Sequence, residues 1–92
     1  MNPYDKIADE LEQHPERWTQ RVFALNKDRY TVEPGDPDAV TWCAAGLCAR
    51  DKLSCMPLEI TADGPVWRYN DAPERTVADI IQLFRDAGRL TP

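Results

Sequence analysis

Tyr4, Ile7, Ala8 and Leu11 recur at the i, i+3, i+4, i+7 spacing of a helix that buries one stripe. Asn2-Pro3 supplies a start signal, a capping side chain followed by a proline whose missing N–H costs nothing at the first helical position. Pro15 disfavours helical geometry at His14, so the pattern predicts a helix that ends near Gln13. The other end of the chain carries a second stripe, formed by Val77, Ile80, Ile81, Phe84 and Ala87. Thr76, with Asp79 following at the capping-box spacing, opens that helix, and Gly88 stands where a left-handed C-cap belongs.

Between these stripes the pattern changes. Residues 18–24 read as an extended segment, with Tyr30-Thr31-Val32 as its partner across a polar turn at residues 26–29. Glu33-Pro34-Gly35-Asp36 breaks the chain, and Asp36-Pro37-Asp38 repeats the cap-plus-proline signal. Residues 39–49 then run almost without a polar side chain, which predicts an interior helix. Gly46 costs such a helix roughly 1 kcal/mol relative to Ala, so a close approach by a neighbouring element is expected there. Pro57-Leu58-Glu59-Ile60-Thr61 and Val66-Trp67-Arg68-Tyr69 alternate around Ala62-Asp63-Gly64-Pro65, as the arms of a hairpin do. The sum is an α+β fold, about three helices packed on a small antiparallel sheet or hairpin, in a single domain over residues 1–92.

Composition narrows the setting. No apolar run approaches the ~20 residues of a membrane span, and the N-terminus has neither the basic nor the apolar region of a secretory signal. The chain is therefore expected in the cytoplasm, with no membrane partner. Cys43, Cys48 and Cys55 are an odd number, read as thiols in a reducing compartment. With His14 they could compose a zinc ligand set only in principle. Their spacing is wider than the usual paired ligands, and on one helix Cys43 and Cys48 would point ~140° apart. No metal and no cofactor is expected.

Sixteen acidic against eleven basic residues give a net charge of −5, and no basic cluster is present to meet phosphates, so direct nucleic-acid binding is not expected. Catalysis is not expected either. The lone histidine precedes a proline, the thiols sit in apolar sequence, no carboxylate pair stands out, and the glycines form no phosphate loop.

What remains is binding, through one of two surfaces. Asp5, Asp9 and Glu12 fall within ~60° of one another on the first helix and could face a basic partner, although charged faces are usually just solvated. Arg68, Tyr69, Asn70, Asp71 and Arg75, with Trp67 before them, concentrate the residue types that dominate interfaces. Asn70 and Asp71 could equally bond their own turn.

Three stretches carry a resemblance: Trp18-Thr19-Gln20, Cys43-Ala44-Ala45-Gly46-Leu47, and Trp67-Arg68-Tyr69-Asn70-Asp71 continuing through Arg75-Thr76-Val77-Ala78-Asp79-Ile80. Together they resemble a family of small uncharacterised bacterial and phage proteins, a domain of unknown function. The resemblance implies a mixed, helix-rich fold and a phage or mobile-element source. It implies no activity and transfers no catalytic residue. The expectation is thus a non-catalytic protein-binding module. Its sharpest form is a phage-encoded inhibitor of a host defence complex, anti-CRISPR-like, whose carboxylates occupy a basic nucleic-acid-binding channel. The alternatives are a small-ligand or enzymatic domain using the turn at residues 67–75, and a structural or self-associating subunit.

Overall fold

The computed structural model describes residues 2–91. The chain forms α1 (Pro3–Gln13), a 3-10 turn (Pro15–Arg17), β1 (Ala24–Asn26), β2 (Ala39–Trp42), α2 (Ala44–Arg50), α3 (Met56–Ala62), α4 (Val66–Asp71) and α5 (Val77–Leu90). The class is α+β, with five α-helices among the described residues and a two-stranded antiparallel sheet, β1 on β2.

The terminal helices form as their stripes predict. The Asn2 side chain accepts from the Tyr4 N–H at 2.8 Å, and Thr76 and Asp79 complete a reciprocal capping box. Tyr4, Ile7, Ala8 and Leu11 of α1 and Ile80, Leu83, Phe84 and Ala87 of α5 are buried in one core with Leu47, Cys48, Leu58 and Val66. Gly88 is not the C-cap. Helix α5 continues to Leu90, and a Cβ on Gly88 would come within 3.0 Å of the Asp5 carboxylate. The glycine makes room for α1, which runs antiparallel to α5.

The middle of the chain departs from expectation in three places. Residues 39–49 are not one helix. Asp36 instead closes a turn, accepting the Asp38 N–H on its side chain at 2.8 Å and the Ala39 N–H on its carbonyl at 3.0 Å. Ala39–Trp42 leaves that turn as β2, pairing Thr41 with Leu25 and Trp42 with Ala24. Helix α2 starts only at Ala44, capped by the Cys43 sulfur. The expected partner of the first extended segment, Tyr30-Thr31-Val32, forms no strand but one antiparallel bridge, Thr31 to Leu25, flanked by the Asn26 N–H on the Tyr30 carbonyl at 3.0 Å and the Val32 N–H on the Ala24 carbonyl at 3.1 Å. That segment is itself interrupted at Arg21, which is left-handed (φ 75°), so the strand begins at Ala24.

The expected hairpin at residues 57–69 is a pair of helices, α3 and α4. Asp63 and Gly64 terminate α3: Asp63 is left-handed (φ 57°) and the Gly64 N–H bonds the Glu59 carbonyl at 3.2 Å. Helix α4 then turns Val66 and Asn70, one helical turn apart, to the interior. Among the described residues, no helix is long and apolar enough to cross a membrane.

Candidate functional site

The acidic face of α1 meets α5. Arg85 lies against Asp9 at 2.7 Å and Asp5 at 3.7 Å, and is also bonded to Glu12. The structure therefore gathers Asp5, Asp9 and Glu12 as expected, but around an internal cation. Glu10, on another side of α1, is bound by Arg50 at 2.8 Å and Arg17 at 3.1 Å. Burial works to raise the Glu10 carboxyl, but those two guanidinium groups outweigh it and hold it below the usual carboxylate value.

The residues of α4 divide by face. Asn70 is fully buried. Its Oδ1 accepts from the Trp18 indole N–H at 2.7 Å and from the Ala44 N–H at 2.9 Å. Its Nδ2 donates to the Thr19 carbonyl at 3.2 Å and to the Asp71 carboxylate at 3.0 Å. One amide thus joins the segment after α1, the start of α2 and α4. The Gln20 side chain adds bonds to the Asn70 and Ala72 carbonyls, and the Asp71 carboxylate accepts the Arg21 N–H at 2.8 Å. Arg75 stacks 3.6 Å over the Tyr69 ring and donates to the Tyr69 carbonyl, which holds the link between α4 and α5. Arg68 stays exposed, its guanidinium 5.6 Å from the Trp67 ring. Of the five turn residues singled out in the sequence, Asn70, Asp71 and Arg75 are engaged in holding the fold, Tyr69 is half-buried beneath Arg75, and Arg68 alone is free on the surface.

Beside this junction lies a hollow of about 90 Å³, lined by Arg21, Val22, Phe23, Cys43, Trp67 and Asp71. Its two aromatic walls remain in water, Phe23 at 59% and Trp67 at 58% exposure. Three constraints build it. Asp71 holds the left-handed turn at Arg21. The missing side chain of Gly46 lets the Phe23 carbonyl come within 2.0 Å of where a Cβ would stand. That carbonyl in turn accepts the Cys43 N–H at 3.3 Å.

Cys43 is buried, and burial pushes its thiol up, away from a reactive thiolate. Its sulfur accepts the Gly46 N–H at 3.3 Å. Among the described residues, no group of three or more His, Cys, Asp or Glu side chains is placed to hold a metal ion. His14 lies beside Glu16, at 3.5 Å.

Phe23, Val22 and Arg21 went unmarked in the sequence. Nothing in the pattern singled them out: Ala24 and Leu25, the next two residues, are both buried, so no alternation marked Phe23 as outward-facing. No family model matches the chain, and comparison with curated proteins and with solved structures gives no match.

Proposed function

We propose that this domain is a non-catalytic protein-binding module that takes one apolar side chain of a partner polypeptide into the hollow between Phe23 and Trp67. The observation that carries the reading is the pair of exposed aromatic walls around a hollow of about 90 Å³. Small-molecule sites usually enclose ~300–1,000 Å³. A space this small suits a single anchoring side chain, and aromatic walls are the residue type that dominates binding energy at interfaces. Arg21, exposed at the rim and in no ion pair among the described residues, favours a partner with a carboxylate near its anchor.

A library of displayed peptides selected on the wild-type domain and counter-selected on Phe23→Ala and Trp67→Ala tests this. Enriched sequences should carry one Leu, Ile, Met or Phe with an acidic neighbour, and each variant should weaken them at least ~10-fold, as loss of a hot-spot residue does. Both variants should keep their melting temperature, since truncating an exposed side chain changes stability by about 0.5 kcal/mol or less. Peptides that bind the variants and the wild type equally would overturn the proposal.

The acidic inhibitor of a nucleic-acid-binding complex is the narrower form of the same class, motivated by the net charge of −5. It requires Asp5, Asp9 and Glu12 to exchange Arg85 for a partner. Reversing those three to Lys should abolish binding under that form and leave hollow-directed peptides bound under the first.

A further inference from the structure

Phe23 serves two hollows. It walls the space of about 90 Å³ that it shares with Trp67. It also lines a second hollow of about 400 Å³, together with Thr31, Val32, Glu33, Pro34 and Asp36. The apolar walls of the second hollow are tied to the sheet. The Val32 N–H bonds the carbonyl of Ala24, the residue after Phe23, at 3.1 Å, and the Pro34 carbonyl accepts the Trp42 indole N–H at 2.9 Å. A turn holds the two acids in place, with the Asp36 N–H on the Glu33 carbonyl at 3.0 Å. Asp36 commits one carboxylate oxygen to the Asp38 N–H and keeps the other without a partner among the described residues.

These two acids differ from those of α1. Asp5, Asp9, Glu10 and Glu12 each lie against an arginine of the domain itself. Among the described residues, Glu33 and Asp36 pair with no cation. Two uncompensated carboxylates therefore stand at the rim of an apolar depression, and the same exposed aromatic ring joins that depression to the anchoring hollow.

We propose that the partner segment anchored in the first hollow continues across Phe23 and lays a basic side chain, arginine before lysine, in the second. This rests on the anchoring role of the first hollow and adds the partner's second contact. A long basic side chain matches the second hollow from end to end. Its methylene stem covers Val32 and Pro34 while its charged head stays at the wet rim. The Phe23 ring face attracts a cation, and Glu33 and Asp36 receive it. Arginine is preferred because its planar fork bonds carboxylates at two points and is more weakly hydrated than an ammonium. A wholly apolar side chain would cover the two carboxylates without satisfying them, which costs free energy. Partly exposed ion pairs add little affinity singly, so the second hollow chooses among partners and sets their register more than it tightens them.

The displayed-peptide selection carries the test. Peptides whose binding depends on Trp67 should hold Arg or Lys at a constant spacing from the apolar anchor. In synthetic copies, replacing that residue with Gln should weaken binding roughly 3- to 10-fold, the worth of two partly exposed ion pairs. The double variant Glu33→Gln/Asp36→Asn should weaken the unaltered peptide by the same factor. Asn at position 36 keeps an acceptor for the Asp38 N–H, so the turn is retained. The two losses should not add, because they remove one interaction. Raising salt from about 0.05 to about 0.5 M should weaken the wild-type pairing and leave the doubly altered one nearly unchanged. Trp67-dependent peptides with no basic residue at a fixed spacing would overturn the proposal and leave the anchoring hollow standing. So would a basic residue whose replacement costs as much on the double variant as on the wild type. Selection of no Trp67-dependent peptide would overturn both.

Discussion

Among the described residues, Asn70 is the one buried polar side chain, and it ties three segments of the fold together. Its carbonyl oxygen serves two donors and its amide two acceptors, all inside the protein. Replacing it with Ala would strand the Trp18 indole N–H and the Ala44 N–H, and a buried unsatisfied donor costs ~1–3 kcal/mol. Asn70→Ala should therefore lose about 3 kcal/mol in urea unfolding. Asn70→Asp keeps the acceptor, but sets a carboxylate where Nδ2 now donates to Asp71. Its deficit should shrink as pH falls and the acids protonate. A deficit below about 1 kcal/mol for the Ala variant would show that water replaces the lost partner. Gly46→Ala is the second residue-scale test. With the Phe23 carbonyl 2.0 Å from the new Cβ, strand and helix must separate, which should cost ~1–3 kcal/mol and distort the hollow. Gly46 was legible as a packing residue because a glycine inside an apolar helix needs a reason. The role of Asn70 was not. Asn-Asp before a proline reads as a local turn, and its partners Trp18, Thr19 and Ala44 lie far away in sequence.

Among the elements, length decided what could be read. Helices α1 and α5 span 11 and 14 residues, enough turns for the helical period to show and for caps to mark their starts. The segments between have three to seven residues. Over that length an alternating strand and one helical turn place apolar residues almost alike. The start signal at Asp36-Pro37 and the turn signal at Asp63-Gly64 were real but ambiguous: one side-chain-to-backbone bond can open a helix or close a turn, and one left-handed residue can bend a hairpin or end a helix. Residues far apart in sequence meet at the junction instead, since Trp18, Thr19, Gln20, Ala44, Gly46, Asn70 and Asp71 all contribute to it or to its hollow. The pairing of α1 with α5 makes its own prediction. Arg85→Ala would leave Asp5, Asp9 and Glu12 facing one another without a cation. Exposed pairs contribute little singly, so the loss should be roughly 1 kcal/mol, and added salt should reduce it by screening the remaining repulsion. A loss indifferent to salt would point to packing of the Arg85 stem instead.

At the scale of the whole molecule, a net charge of −5 leaves the domain acidic, yet the best-connected carboxylate is an internal tie. Glu10 joins α1 to the 3-10 turn through Arg17 and to α2 through Arg50, and the Arg50 guanidinium also lies 4.7 Å over the Trp42 ring of β2. Four elements are thus coupled to one ionisation. Because the folded carboxyl titrates below its ordinary value of 4.5, the unfolded chain takes up its proton first as pH falls. The stabilisation from Glu10 is complete above the unfolded value and disappears as pH drops through the lower, folded one. Glu10→Gln keeps the shape and removes the charge. It should be about 1–2 kcal/mol less stable than the wild type at pH 7, the scale of a charge-assisted bond. That gap should begin to narrow as pH falls below 4.5, where the unfolded chain takes up its proton, and should close once the folded carboxyl is neutral as well. Paired urea titrations at pH 7 and pH 3 measure the difference. A gap that stays constant between them would mean that Glu10 holds these elements by its shape and neutral hydrogen bonds, with its charge contributing nothing to their union.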